Sequence, residues 1–412
     1  MTLLDQASID PNSKDARSKV GDGPALKGIR VVDLTQFEAG TSCTLLLAWL
    51  GAEVIKVERP RIGEQGRGQD GKGTIYFNLL NANKKSVTCD LKTERGKEFL
   101  RKLIATADVF LENFAPGNIE RLGFGYDDVK KIKPDIVYGQ VKGFAPGTEY
   151  ENYLCFDNIA QAMGGIMSVN GFPGQRPVRA GVTIGDTGTG LHFAIGILSA
   201  LIQRQRTGKG QKVFISQWEA MTNFMRMAYQ GPQPATPKGN ASSLRSSAPS
   251  EVYPCKEGGY VFIYSTRARD HQWKALLKVM GREDLIDDPR FATGPLRYQN
   301  REEVDRIIGE WTRHYTKFEA MTILQKGGMP AGAVMNSQEL ANHPDLRRRG
   351  MYSTVEDEQL GTYSMVGCPI DMEKSVVPIL PAPALGNDNE TFYSELGYSP
   401  EDLQAMRDAG EI

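Results

Sequence analysis

The sequence predicts an α/β protein: a mostly parallel sheet covered by helices, followed by a smaller α+β unit. Three observations carry that prediction. Short apolar, β-rich runs alternate with helical stretches through the first half of the chain. The texture then breaks into the Pro-, Ser- and Gly-rich segment "GPQPATPKGNASSLRSSAPS" near Gln230. A hairpin pattern and three helical stretches come after it.

In order, "GIRVVDLT" reads as a buried strand, "TSCTLLLAWLGA" as a helix and "EVIKVE" as a second strand, which makes one βαβ unit. The alternation continues: strand "KSVTCDL", helix "ERGKEFLRKLIATA", strand "DVFLENF", helical pieces "GNIERLG" and "YDDVKKIK", strand "DIVYGQVKGF". Past the break, "EVYPC" and "YVFIYS" flank the turn "KEGG", and helices are expected around His271–Met280, Arg301–Thr312 and Phe318–Gln325. "PAGAVMN" reads as a further strand, and Ser399 with Asp402 forms a capping box for a last short helix. The expected domains are therefore a loose arm at 1–24, a large domain at 25–229, a linker at 230–249, a small α+β domain at 250–328 and a returning segment at 329–412.

With 412 residues, 40% hydrophobic, 24% charged and a net charge of −1, the composition is that of a globular enzyme-sized chain. The near-neutral balance gives no electrostatic case for nucleic acid or a membrane surface. The longest apolar run, Leu191–Ile202, falls short of the ~18 residues needed to span a bilayer. Cys43, Cys89, Cys155, Cys255 and Cys368 are dispersed with no CxxC pair, which suggests reduced thiols and a cytoplasmic setting. His192, His271, His314 and His343 are far apart, so no metal site is expected. "GRGQDG" matches the spacing of a dinucleotide loop, but it lies well beyond the strand "EVIKVE" and opens no helix directly; a mobile glycine-rich loop is the better reading.

The most informative stretch is "RAGVTIGDTGTGLHFAIGILSALIQRQRTGKG". "GVTI" is β-prone, Leu191–Ile202 reads as a buried helix, and Asp186 falls at the junction. A carboxylate there caps free N–H groups, and the helix dipole favours its anion. It could equally be a nucleophile, and the local pattern leaves both open.

Several segments together resemble the class III CoA-transferase family: "LKGIRVVDLT", "LGAEVIKVERP", "NANKKSVTCDLKT", "VFLENFAPGNIERLGFGYDDV", "FDNIAQAMGGIMSVNG", "IGDTGTGLHFAIGILSAL", "RTGKGQKV" and "PAPALGNDNE". The resemblance implies a Rossmann-like large domain, a small domain between its two parts, and an interlocked ring-like dimer. It implies that Asp186 attacks an acyl-CoA thioester, giving an aspartyl-acyl anhydride and then an aspartyl-CoA thioester. A carboxylate suits that exchange because covalent catalysis splits one hard transfer into easier ones. The flanking glycines would let backbone N–H groups approach the reacting carbon. Glu38 and Ala39 would sit beside the nucleophile. Arg59 would meet a CoA phosphate, and Asp90, Leu91 and Lys92 would border the adenine. Asn113, Phe114, Arg121, Phe156 and Asp157 would line the CoA chain.

The chain departs from formyl-CoA transferases in carrying Glu38 for a Gln, Phe156-Asp157 for Tyr-Glu and Gln69 for a Trp, and "SSLRSSAPSEVYP" replaces a tetraglycine loop. Two readings of Glu38 follow. Either it shares a proton with Asp186, which the helix N-terminus keeps ionised, or it turns to Arg179. Arg179, Arg245, Arg267 and Arg269 could receive a second carboxylate, as on a succinyl-type donor. An acyl-CoA racemase of the same fold is the main alternative, but such an enzyme needs acid and base on both sides of the α-carbon, and Phe156 cannot move a proton. A CoA-binding subunit of a hetero-oligomer is the other alternative.

Overall fold

The computed structural model describes residues 23–171, 175–229, 248–265, 270–357 and 360–412. Nearly all of the expected arm at 1–24 and linker at 230–249 lies outside them. The chain divides into two compact units: 1–170, 178–230 and 344–412 form one, and 171–177 with 231–343 form the other.

The first unit is built on six parallel strands: β1 (Arg30–Asp33), β2 (Glu53–Glu58), β3 (Lys85–Thr88), β4 (Val109–Glu112), β5 (Val137–Lys142) and β6 (Gln211–Ser216). Their order is β3-β2-β1-β4-β5-β6, the doubly wound arrangement whose strand order reverses between β1 and β4. Side chains alternate across the sheet. Val31, Val54, Val109 and Val137 face one core with Cys43, Leu47, Phe193 and Ile197. Val32, Ile55, Val87, Phe110 and Tyr138 face the other with Phe99, Leu103, Phe392, Tyr393 and Met406. Burial on both faces is why these strands read as continuous apolar runs.

The helices between and beyond these strands are α1 (Ala39–Trp49), α2 (Ile75–Asn81), α3 (Glu94–Ala105), α4 (Asn118–Arg121), α5 (Tyr126–Ile132), α6 (Asp157–Met163), α7 (Ile166–Val169), α8 (Ile184–Thr207) and α9 (Gln217–Phe224). The final helix, Pro400–Asp408, carries the capping box of Ser399 and Asp402 expected from the sequence.

Two expectations about α8 are corrected. "GVTI" is not a strand. The side chain of Gln161 holds the segment, accepting from Ala180 N–H (2.9 Å) and donating to the Val182 carbonyl (3.3 Å), and α8 starts at Ile184. β-propensity is expressed only where the tertiary context supplies a partner strand; here the backbone at Ala180 and Val182 bonds to Gln161 instead, and no strand among the described residues pairs with the run. Nor is Leu191–Ile202 buried all round: Leu191, Ile195 and Ile202 are 46%, 64% and 58% exposed. Neighbouring elements cover only the opposite face of the helix.

The second unit has the antiparallel sheet β7 (Ser250–Pro254), β8 (Tyr260–Tyr264) and β9 (Ala331–Ala333). Helices Asp270–Met280, Arg301–Thr312 and Lys317–Lys326 close its core around Trp273, Ile308 and Leu324. "PAGAVMN" thus supplies this sheet's third strand rather than opening the return. The unit runs on to 343, beyond the expected boundary at 328. After it, β10 (Tyr352–Asp357) and β11 (Gly361–Val366) form a hairpin packed near Leu45 and Ala82 of the first unit.

The glycine-rich "GRGQDG" loop is anchored near its start by its arginine. Arg67, 1% exposed, donates to both oxygens of Glu58 at 2.7 and 2.8 Å and lies over the Phe77 ring.

Candidate active site

In an open α/β sheet the carboxyl ends of the strands at the order reversal leave a crevice. Here that crevice is a cleft of about 590 Å³, lined by residues that follow every strand of the sheet: Glu38 after β1, Arg59 after β2, Asp90 to Lys92 after β3, Asn113 and Phe114 after β4, Gly143 after β5, and Gln217 after β6. Five inter-strand steps, about 24 Å at the usual strand spacing, separate the strand before Lys92 from the strand before Gln217. The cleft can therefore take a long ligand.

Of the residues expected from the sequence, Asp186, Glu38, Ala39, Arg59, Asp90, Leu91, Lys92, Asn113, Phe114, Arg121 and Phe156 all line this one cleft. Asp157 does not. It is buried, and its Oδ1 accepts the Gly185 N–H at 2.7 Å while Oδ2 accepts from Gln161 at 2.8 Å. Asp157 therefore provides the side-chain acceptor at the start of α8, since Thr183 at the N-cap position makes no side-chain capping bond. Asp186, in the first turn of α8, is left to face the cleft, so in this structure the cap and the candidate nucleophile are different residues.

The turn that carries Glu38 is held at three successive N–H groups. Thr35 N–H donates to Asp33 (2.8 Å), Gln36 N–H to Asn113 (2.8 Å) and Phe37 N–H to the buried Glu64 (3.0 Å). Phe37 adopts φ 56°, a left-handed conformation costly for a side chain of this size. Asn113 also donates back to the Gln36 carbonyl at 2.8 Å. Its amide is thus a clasp between the ends of β1 and β4, with both polar atoms already engaged.

Glu38 itself is buried, and its Oε1 accepts from the hydroxyls of Thr183 and of Thr187 (2.7 Å). It does not turn to Arg179, which is exposed and donates to Asn158 at 3.3 Å. Arg245, Arg267 and Arg269 lie outside the described residues.

Asp186 is half-buried, and its Oδ1 accepts from the Gln217 side-chain amide. Burial pushes its pKa up to about 7; the charges of Glu38 and then Asp157 add to the rise, and the Gln217 hydrogen bond opposes it. Burial thus works against the helix N-terminus, which favours the anion. The glycines beside it allow close packing. A Cβ on Gly185 would lie 2.6 Å from the Asp157 carbonyl, and one on Gly190 would lie 2.6 Å from Ser42 Cβ and 2.8 Å from the Ala39 carbonyl. They bring α8 against α6 and α1, which sets Asp186 beside Glu38.

Sequence reasoning missed Gln217. The available signal was "ISQWE": a strand end, then Ser216 capping α9 by accepting the Glu219 N–H, so that the first helical side chain stands at the sheet's carboxyl edge. Arg59 and Lys92 are exposed on the cleft, and neither pairs with a carboxylate among the described residues. Arg121 donates to Asn118.

Comparison with known proteins agrees with the geometry. A model of CoA-transferase family III matches residues 26–389. A formyl-CoA:oxalate CoA-transferase of Streptomyces avermitilis is 38% identical over 413 aligned residues, covering 94% of this chain and 99% of that protein. One from Rhodopseudomonas palustris is 36% identical, covering 94% and 97%. The crystal structure of a CAIB/BAIF family protein from Brucella suis superposes with a TM-score of 0.78 at 31% identity, covering 90% of this chain and 99% of that one.

Proposed function

Because the chain belongs to CoA-transferase family III and is an enzyme of that family, we propose that it moves CoA from an acyl-CoA to a free carboxylic acid, with Asp186 as the nucleophile. The observation that carries this reading is the Asp186 carboxylate. It faces a cleft long enough for CoA, one oxygen is held by Gln217, and the other accepts no hydrogen bond among the described residues. The free oxygen attacks the thioester carbonyl and CoA leaves as the thiolate. The thiolate then attacks the aspartyl carbon of the anhydride, releasing the first acid. The acceptor carboxylate takes the aspartyl group, and CoA finally takes the new acyl group.

Arg59 and Lys92, exposed on the β2 and β3 side and without a carboxylate partner among the described residues, suit the phosphates of the nucleotide. Asp90 and Leu91 border the adenine, and Phe114, Arg121 and Phe156 line the chain that leads to Asp186. The relatives make formyl-CoA and oxalate the first pair to test, with succinyl-CoA beside it, because Glu38 and Gln69 depart from the formyl-CoA transferase pattern.

The exposed apolar face of α8, with Leu191, Ile195 and Ile202, supports burial against a second copy, in keeping with an interlocked dimer. The free cysteines support a cytoplasmic location. No helix among the described residues is long and apolar enough to cross a membrane.

The test of the function is acylation by acyl-CoA alone. Hydroxylamine should trap the adduct on the peptide containing Asp186, and Asp186→Asn should lose several orders of magnitude in rate. Full transferase activity in that variant would end the proposal. Dilution to nanomolar concentration should yield no folded monomer; a stable, active one would rule out the interlocked dimer.

A further inference from the structure

The Gln217 side chain is 5% exposed, lines the cleft and donates to Asp186 Oδ1. An ionised carboxylate offers only lone pairs, so the amide must present its nitrogen. Gln217 is the first residue of α9, directly after β6, and Ser216 fixes the start of that helix by accepting the Glu219 N–H at 3.2 Å and donating to the Glu219 carboxylate at 2.6 Å. The donor therefore rests on a strand end and a capped helix rather than on a free loop.

We infer that Gln217 is a catalytic residue that serves the transfers at the aspartyl carbon of Asp186 and not those at the substrate acyl carbon. This rests on the transferase reading above. When Asp186 Oδ2 attacks a thioester, it becomes the bridging oxygen of the anhydride, and the C–S bond breaks with its electron pair leaving on sulfur. Oδ1 becomes the aspartyl carbonyl oxygen, still facing the Gln217 N–H. In the second transfer CoA thiolate adds to Cγ of Asp186, and the carbonyl pair moves onto Oδ1. Collapse expels the first acid as its carboxylate and leaves the aspartyl-CoA thioester. In the third transfer the acceptor carboxylate adds to the same Cγ, the charge again gathers on Oδ1, and thiolate departs. Gln217 thus meets a developing oxyanion in the two inner transfers, where a preorganised donor counts most. In the first transfer it meets a carboxylate that is losing charge, so its hydrogen bond weakens toward the transition state and gives no acceleration.

The experiment follows both adducts on the Asp186 peptide by rapid quench and mass spectrometry. The probes are formyl-CoA, acetyl-CoA and succinyl-CoA, each given alone to the full-length enzyme and to Gln217→Met, which keeps the length of the side chain but has no donor. With a probe that wild type accepts, the acyl adduct should form in the variant within about tenfold of the wild-type rate. The aspartyl-CoA adduct should form about 10²–10³-fold more slowly, the usual loss on removing one oxyanion donor, so the anhydride accumulates. Equal slowing of both adducts, or none, overturns the role of Gln217 and leaves the transferase reading standing. Failure of wild type to form either adduct with any of the three overturns both. Gln217→Leu makes the same comparison should the Met variant not fold, with CoA affinity and melting temperature measured for each.

Discussion

Burial lifts the pKa of Asp186 to about 7, and Glu38 and Asp157 add to the rise. A nucleophilic carboxylate must be ionised, so the proposed rate should fall tenfold for each pH unit below that midpoint and level off above it. Glu38→Gln removes one of the like charges, which lowers the midpoint and moves the acid limb to lower pH. An acid limb that stays in place in Glu38→Gln would show that the charge of Glu38 does not act on Asp186. Stability runs the other way. A carboxyl whose folded-state pKa lies above its unfolded one, 3.8 here, binds more protons when folded between those values, so stability declines as pH rises from about 4 to about 7. Asp186→Asn should therefore raise the melting temperature at pH 8 and change it little at pH 4, while abolishing turnover. A pH-independent change in melting temperature would contradict the placement of this buried charge.

The close approach of α8 to α1 sets the spacing of the two carboxylates. With a Cβ on Gly190 falling 2.6 Å from Ser42 Cβ and 2.8 Å from the Ala39 carbonyl, Gly190→Ala must push the helices apart. The expected cost is about 1–3 kcal/mol, typical of overpacking, seen as a lower denaturant midpoint. Because Glu38 immediately precedes α1, the shift should also disturb the Thr183 and Thr187 contacts and lower the rate. A variant of unchanged stability would mean that the helices have slack there. Elements that bury both faces of the sheet were legible in the sequence, since runs such as "RVVD" and "EVIKVE" have one fitting environment. The start of α8 was not. Val182–Ile184 has strand-like residues, yet Gln161 bonds the Val182 carbonyl and the helix begins at Ile184. Local pattern also could not tell Asp157 from Asp186, because both open helices, and only the tertiary arrangement turns one into a cap and leaves the other facing the cleft. Gln217 was hidden for the same reason: its partner lies 31 positions away in the chain.

The far end of the chain completes the core on the β3 side of the sheet. β3 is an edge strand, and unpaired edge groups need partners. Ser86 N–H donates to Asp388 (2.9 Å), Thr88 N–H to Asn389 (2.8 Å), and the Tyr393 hydroxyl to the Thr88 carbonyl (2.9 Å). The Tyr393 ring stacks on Phe99 at 3.8 Å within a core that also holds Ile55, Phe110 and Tyr138. Because one sheet joins that core to β6, loss of packing at Tyr393 should be felt across the whole unit rather than at the edge alone. Tyr393→Ala should cost about 3–5 kcal/mol, as for other large aromatic truncations. Tyr393→Phe should cost less, about 1–3 kcal/mol for the carbonyl left without its donor. In native-state hydrogen exchange, the slowest amides of β6 should speed up by the same factor as those of β3 in Tyr393→Ala, because both exchange through global opening. Acceleration confined to β3 would show that the C-terminal segment and its edge strand open as a separate unit, leaving the Asp186–Gln217 end of the cleft intact.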